Sequence, residues 1–310
     1  MSTSLREGFQ RVLHADWSLA AGKRYAAEAV RERDGWRIGA PALFGASPAW
    51  VERHLSEAAP STLAAFDFPL GLPAAWAVRA GVERFDAFLA ALDRGLWPDF
   101  GRIAAEADEI SLTRPFYPYR SRAGVRRHHL VEALGVESFD ALYRACERRT
   151  PGRRPAPLFW TMGASQVGRA ALAGWHEVIG PARAGGASLW PFDGTLAELS
   201  GRRLVLCESW PTLAGERLGV ALGPRRSKRR QADRAAVGRA LLQRAAPLRF
   251  DDALQAELTA GFGPGPAGED PFDALLGLLQ MVMIVEGWLP VATRTIGADQ
   301  RRLEGWMAGL

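Results

Sequence analysis

Leu63-Ala64-Ala65-Phe66-Asp67-Phe68-Pro69-Leu70-Gly71-Leu72-Pro73 begins as a short apolar run and ends in proline and glycine. The apolar part reads as a buried strand. Proline has no N–H for a sheet ladder, so the strand is expected to end near Pro69. Asp67 then stands where the chain leaves the sheet, at the carboxyl end of a strand. In open α/β sheets that rim is where ligands bind. A lone aspartate there is a common turn or helix cap, so its meaning depends on whether other acids reach the same rim.

Working back towards the N-terminus, residues 10–16 read as a strand that closes on Asp16. Residues 24–31 and 36–43 read as two more, joined through the hairpin dipeptide Asp34-Gly35. A helix is expected after Ser47, giving β-β-β-α-β up to Asp67. Working forward, 74–185 changes texture to helices (85–96, 139–148 and 165–179) and proline-rich loops, and reads as a helical insertion. The sheet resumes at 187–191 and 203–208, the latter ending in Glu208 shortly before Pro211. A basic helix over 228–246, a Gly/Pro-rich loop at 261–268 and a last helix opening Glu269-Asp270-Pro271-Phe272-Asp273 complete the chain. The expected fold is a single α/β domain over 1–310. Its mixed sheet has three antiparallel strands followed by parallel ones, flanked by helices.

The 310 residues are 48% hydrophobic and 24% charged, an ordinary globular balance. Two cysteines, Cys146 and Cys207, provide neither a disulfide framework nor zinc spacing, which points to a reducing cytoplasm. The N-terminus lacks the apolar core of a signal peptide. The most apolar stretch, 274–285, is too short to span a bilayer, so no membrane partner is expected. A net charge of +5 permits an anionic partner such as nucleic acid. Walker, GxSxG and GxGxxG motifs are absent.

Three expected strands thus end on an acid, Asp16, Asp67 and Glu208, and the i,i+3 pair Asp270 and Asp273 shares one face of the last helix. Gathered carboxylates repel one another and call for cations, and oxygen ligands of this kind suit Mg²⁺ or Mn²⁺. Two such ions held ~4 Å apart clamp the attacking and leaving oxygens of a phosphoryl transfer. Candidate metal ligands are therefore Asp16, Asp67, Glu208, Asp270 and Asp273. Lys228 is a candidate to balance charge at the substrate, and Gln166 to donate a hydrogen bond. Arg225, Arg226, Arg229 and Arg230 are candidates to track a phosphate backbone. Cations at a helix start oppose the helix dipole, which sets this cluster apart from an ordinary solvated face. Trp17 and Trp210, next to the acids, suit either base stacking or core packing.

The order of these segments resembles the DUF429 family of predicted nucleases in the ribonuclease H-like superfamily. The resemblance rests on Asp16-Trp-Ser, Asp67-Phe-Pro-Leu-Gly, Glu208-Ser-Trp-Pro, Ser227-Lys228, Glu269-Asp270-Pro-Phe-Asp273-Ala and Gly163-Ala-Ser-Gln166. It covers most of the chain outside the helical middle. It implies a ribonuclease H-like sheet and a metal-dependent phosphodiester hydrolase acting on DNA or RNA, with the acids as ligands. Two other classes remain open. One is an actin/sugar-kinase-like phosphotransferase, for which Ala20-Ala21-Gly22-Lys23 would serve as a phosphate loop. The other is a non-catalytic nucleic-acid- or partner-binding protein with a decayed metal site.

Overall fold

The computed structural model of the chain describes residues 5–120, 123–150, 154–162, 167–220, 226–243 and 248–310. Among them the strands form one eight-stranded mixed sheet. β1 (Arg11–Asp16), β2 (Tyr25–Glu32) and β3 (Gly35–Ile38) form an antiparallel meander. The two-residue loop of the expected hairpin is Arg33-Asp34, one residue earlier than Asp34-Gly35, and Gly35, at φ +128°, is the first paired residue of β3. The single strand expected over 36–43 is two. β4 (Ala42–Leu43) pairs with the other end of β2, because Pro41 cannot donate to the ladder between them. After the helix Ser47–Leu55, β5 (Thr62–Phe66) runs parallel to β1, and β7 (Leu204–Glu208) runs parallel to β5. With β6 (Ser188–Leu189) and β8 (Leu248–Phe250) at the edges, the spatial order is β6-β7-β5-β1-β2-β3-β8.

Two edge elements differ from expectation. β6 is only Ser188–Leu189, and Pro191, which has no N–H for a ladder, lies just past its end. β8 (Leu248–Phe250), which no sequence pattern announces, adds in parallel to β3.

The period-2 alternation of the strands divides the core. Leu13, Ala15, Ala64, Phe66, Leu204 and Leu206 face one side and pack with the apolar residues of 74–185. Val12, Ala27, Leu63, Ala65, Val205 and Cys207 face the other and pack under the helix Glu269–Val285. This helix is buried nearly all round, as its unbroken apolar run requires. The stretch 74–185 therefore covers one sheet face. Two of its helices are shorter than the spacing suggests: Phe85–Asp93 stops before Gly95 (φ +71°). The 139–148 segment splits into a 3₁₀ turn, Phe139–Leu142, and the helix Ala145–Arg149, because Arg144 between them is extended. The third is described from Val167 and runs on through a π-turn to Ala184. No helix among the described residues is long and apolar enough to cross a membrane.

Candidate functional site: an acid cluster closed by a lysine

Register explains which acids meet. Ala15 of β1 lies level with Phe66 of β5, and the Asp67 N–H donates to the Ala15 carbonyl at 3.1 Å, so Asp16 and Asp67 leave the sheet side by side. By alternation both point to the face covered by Glu269–Val285, where Asp273 on the first turns of that helix meets them. The helix start that brings Asp273 in carries Pro271 and two further acids, a composition suited to the positive end of the helix dipole.

Burial pushes the Asp16 and Asp67 carboxyls well above the usual carboxylate range. The mutual repulsion of Asp16, Asp67 and Asp273 adds to it. Asp273 is likewise raised, to about 6, chiefly by burial, although Lys228 counteracts the shift. Asp270 lies at the margin, half-buried, with its pKa raised by burial and eased by the nearby Lys23.

Lys228 completes the cluster, donating from Nζ to Asp273 Oδ2. Burial works against its ammonium, but Asp273 and Asp67 outweigh that and raise its pKa. It does not lie on the helix expected over 228–246. That helix is Gln231–Gln243, and Lys228 sits on the turn before it. The turn is pinned from beneath. The buried Arg234 guanidinium donates to the Lys228 carbonyl, to Gly261 O at 2.9 Å and to Gly263 O at 2.8 Å. Sequence reasoning passes over Arg234, which reads as one more residue of a basic helix.

Glu208 takes a different place from the one expected. It is level with Phe66, one residue short of Asp67, and so leaves the sheet on the opposite face. There the fully buried Arg144 grips both of its oxygens at 2.6 and 2.7 Å, and the Leu70 N–H donates to it at 2.8 Å. Arg144 also binds Glu147 at 2.9 Å and the Glu304 carbonyl at 3.1 Å. Glu208 is thus a charge-compensated brace behind Asp67, and Asp67 still feels its negative charge. Arg144, Glu147 and Glu304 come from segments far apart in sequence, and no local signal marks them.

A cleft of about 390 Å³ opens beside Asp67. Arg144, Glu147 and Glu208 lie in its floor, and Trp17, Phe68, Trp210 and Met307 are among its apolar walls. Trp17 is a core residue first: it is buried, edge-on to Phe44, Phe66 and Phe68, with the Arg24 guanidinium 4.0 Å above its ring. Trp210 is half-buried at the rim. Arg226, Arg229 and Arg230 are exposed near Lys228, and Arg230 pairs with Asp233 at 2.7 Å. Gln166 and Arg225 lie outside the described residues. The Ala20–Lys23 segment forms an exposed 3₁₀ turn, Ala21–Lys23, at the edge of the site.

Among the described residues no group of three or more His, Cys, Asp or Glu side chains has the spacing of a metal site as it stands. Lys228 occupies one oxygen of Asp273. The remaining oxygen, Asp273 Oδ1, is buried without a hydrogen-bond partner. A buried, unsatisfied carboxylate oxygen beside two further carboxyls is a donor set that fits a hard cation. No protein-family model, curated protein or solved structure matches the chain.

Proposed function

We propose that the protein is a metal-dependent phosphodiester hydrolase acting on nucleic acid, as its resemblance to the DUF429 family of the ribonuclease H-like superfamily implies. The observation that carries the reading is the convergence of Asp16, Asp67 and Asp273 around the unpartnered Asp273 Oδ1. The sheet order supports it: a three-stranded antiparallel meander, with further parallel strands added beside the first strand, is the arrangement this superfamily reading calls for.

Asp16, Asp67 and Asp273 are the residues that would hold Mg²⁺ or Mn²⁺, with Asp270 at the margin. A divalent ion there supplies Lewis-acid polarisation of a phosphoryl oxygen and a more acidic bound water. The chain itself supplies the rest. Lys228 offsets negative charge at the acids, and Arg226 and Arg229 offer exposed guanidinium groups to a phosphate backbone. The Arg144–Glu208 pair keeps the strand ends behind Asp67 in place.

Cleavage of single- and double-stranded DNA and RNA with Mn²⁺ tests the proposal. Asp16→Asn is expected to abolish the Mn²⁺-dependent activity, and activity that survives the substitution unchanged rules the reading out. A second reading, a nucleic-acid-binding protein that does not cut, draws on the Lys228–Asp273 pair and on the closure of Glu208 by Arg144. Metal-independent binding of the same nucleic acids, without cleavage, favours it.

A further inference from the structure

Lys228 does more than border the acid cluster, because it occupies one of its anionic positions. Its Nζ lies on Asp273 Oδ2, while Oδ1 of the same carboxylate is buried and unpartnered. The lysine is built in at its backbone as well. The Ser227 N–H donates to Asp233 Oδ2 at 2.9 Å, and the Lys228 carbonyl accepts from Arg234. Through its bonds to Gly261 and Gly263, the same guanidinium anchors the loop that leads into the helix bearing Asp273. One buried arginine therefore ties both members of the ion pair into a common frame. A lysine held in this way is a fixed charge, unlike the mobile ammonium of a solvated side chain.

We propose that Lys228 is the resident cation of the site: its ammonium takes the place on Asp273 Oδ2 that a second divalent ion would need. Asp16, Asp67 and Asp273 Oδ1 are then left to hold a single ion. The inference rests on the metal-dependent reading above and refines it. The charged groups facing Lys228 are Asp273, Asp67, Glu269, Asp16 and Asp270, so its removal leaves an acidic site with room for a further cation.

Calorimetric titration of Mn²⁺ into the full chain tests this, comparing the wild type with Lys228→Met and Lys228→Arg. One ion is expected for the wild type and for Lys228→Arg, and two for Lys228→Met. Without metal, Lys228→Met is expected to melt below the wild type and to gain more from added Mn²⁺. Two ions in the wild type, or one ion in both the wild type and Lys228→Met, overturns the role of Lys228 and leaves the metal-dependent reading standing. No ion in any of the three overturns the metal-dependent reading and this inference with it. Should Lys228→Met fail to fold, the wild-type stoichiometry decides alone, and a value of two overturns the proposal.

Discussion

Asp273 is where burial, repulsion and pairing meet on one side chain, and its titration has a readable consequence. A carboxyl whose folded-state pKa lies above its unfolded value favours folding while it is protonated, and that contribution is lost as pH rises through the folded value. For Asp273 the window runs from the ordinary aspartate range up to about 6. The advantage of the Asp273→Asn variant over the wild type, read as the difference in thermal midpoint in the absence of divalent metal, is expected to grow between pH 4 and pH 7. A difference that stays flat or shrinks over that range refutes the assignment. The comparison with the variant is needed because His14 and His54 act in the opposite sense. Burial lowers both to about 4, so their contribution is lost as pH falls below the ordinary histidine range. Only part of this was visible beforehand. The four aspartates stand out in sequence as strand and helix ends, but a lysine on a turn looks like any solvated lysine until Arg234 is seen to pin it.

At the scale of elements, the exit of β5 shows why its sequence is Asp-Phe-Pro-Leu-Gly. The loop after Asp67 is clamped to the C-terminal tail. The Leu72 N–H donates to the Leu303 carbonyl at 2.8 Å, and the Leu70 N–H reaches Glu208. Gly71 holds φ +143°, and a Cβ on it would lie 2.0 Å from the Glu304 carbonyl oxygen. Both the backbone angle and the space therefore exclude a side chain. Gly71→Ala is expected to cost about 3 kcal/mol from strain and overpacking together, measured as a lowered midpoint in urea. Retention of wild-type stability would show that the tail does not pack as tightly as the contact implies. Sequence marks Gly71 as a turn glycine, whereas the partner that makes it obligatory lies more than 200 residues away.

For the whole molecule, Arg144 joins three parts of the chain: the insertion that carries it and Glu147, the sheet through Glu208, and the C-terminal segment through Glu304. Charges taken out of water are tolerated only when paired, and removing one partner leaves the others uncompensated. Arg144→Met is expected to lower stability by about 3–5 kcal/mol, followed by chemical denaturation. Adding Glu208→Gln to that variant is expected to recover part of the loss. Full stability in Arg144→Met would refute the bracing role.

The sequence by itself determined the antiparallel opening of the sheet up to the break of its third strand at Pro41, a hairpin next to Asp34, the buried strands ending at Phe66 and Glu208, and the apolar last helix. Each of these is a local matter of periodicity, proline placement and turn chemistry. It also placed Asp16, Asp67 and Asp273 at the ends of elements, which is where ligand sites form. Tertiary structure alone decided which acids share a face. The one-residue offset between Asp67 and Glu208 sends their side chains to opposite sides of the sheet, and register across strands is a long-range property. It also decided that Lys228 closes the acid cluster and that Arg144 neutralises Glu208. Both pairs join residues 45 or more positions apart, brought together by packing that no local pattern encodes.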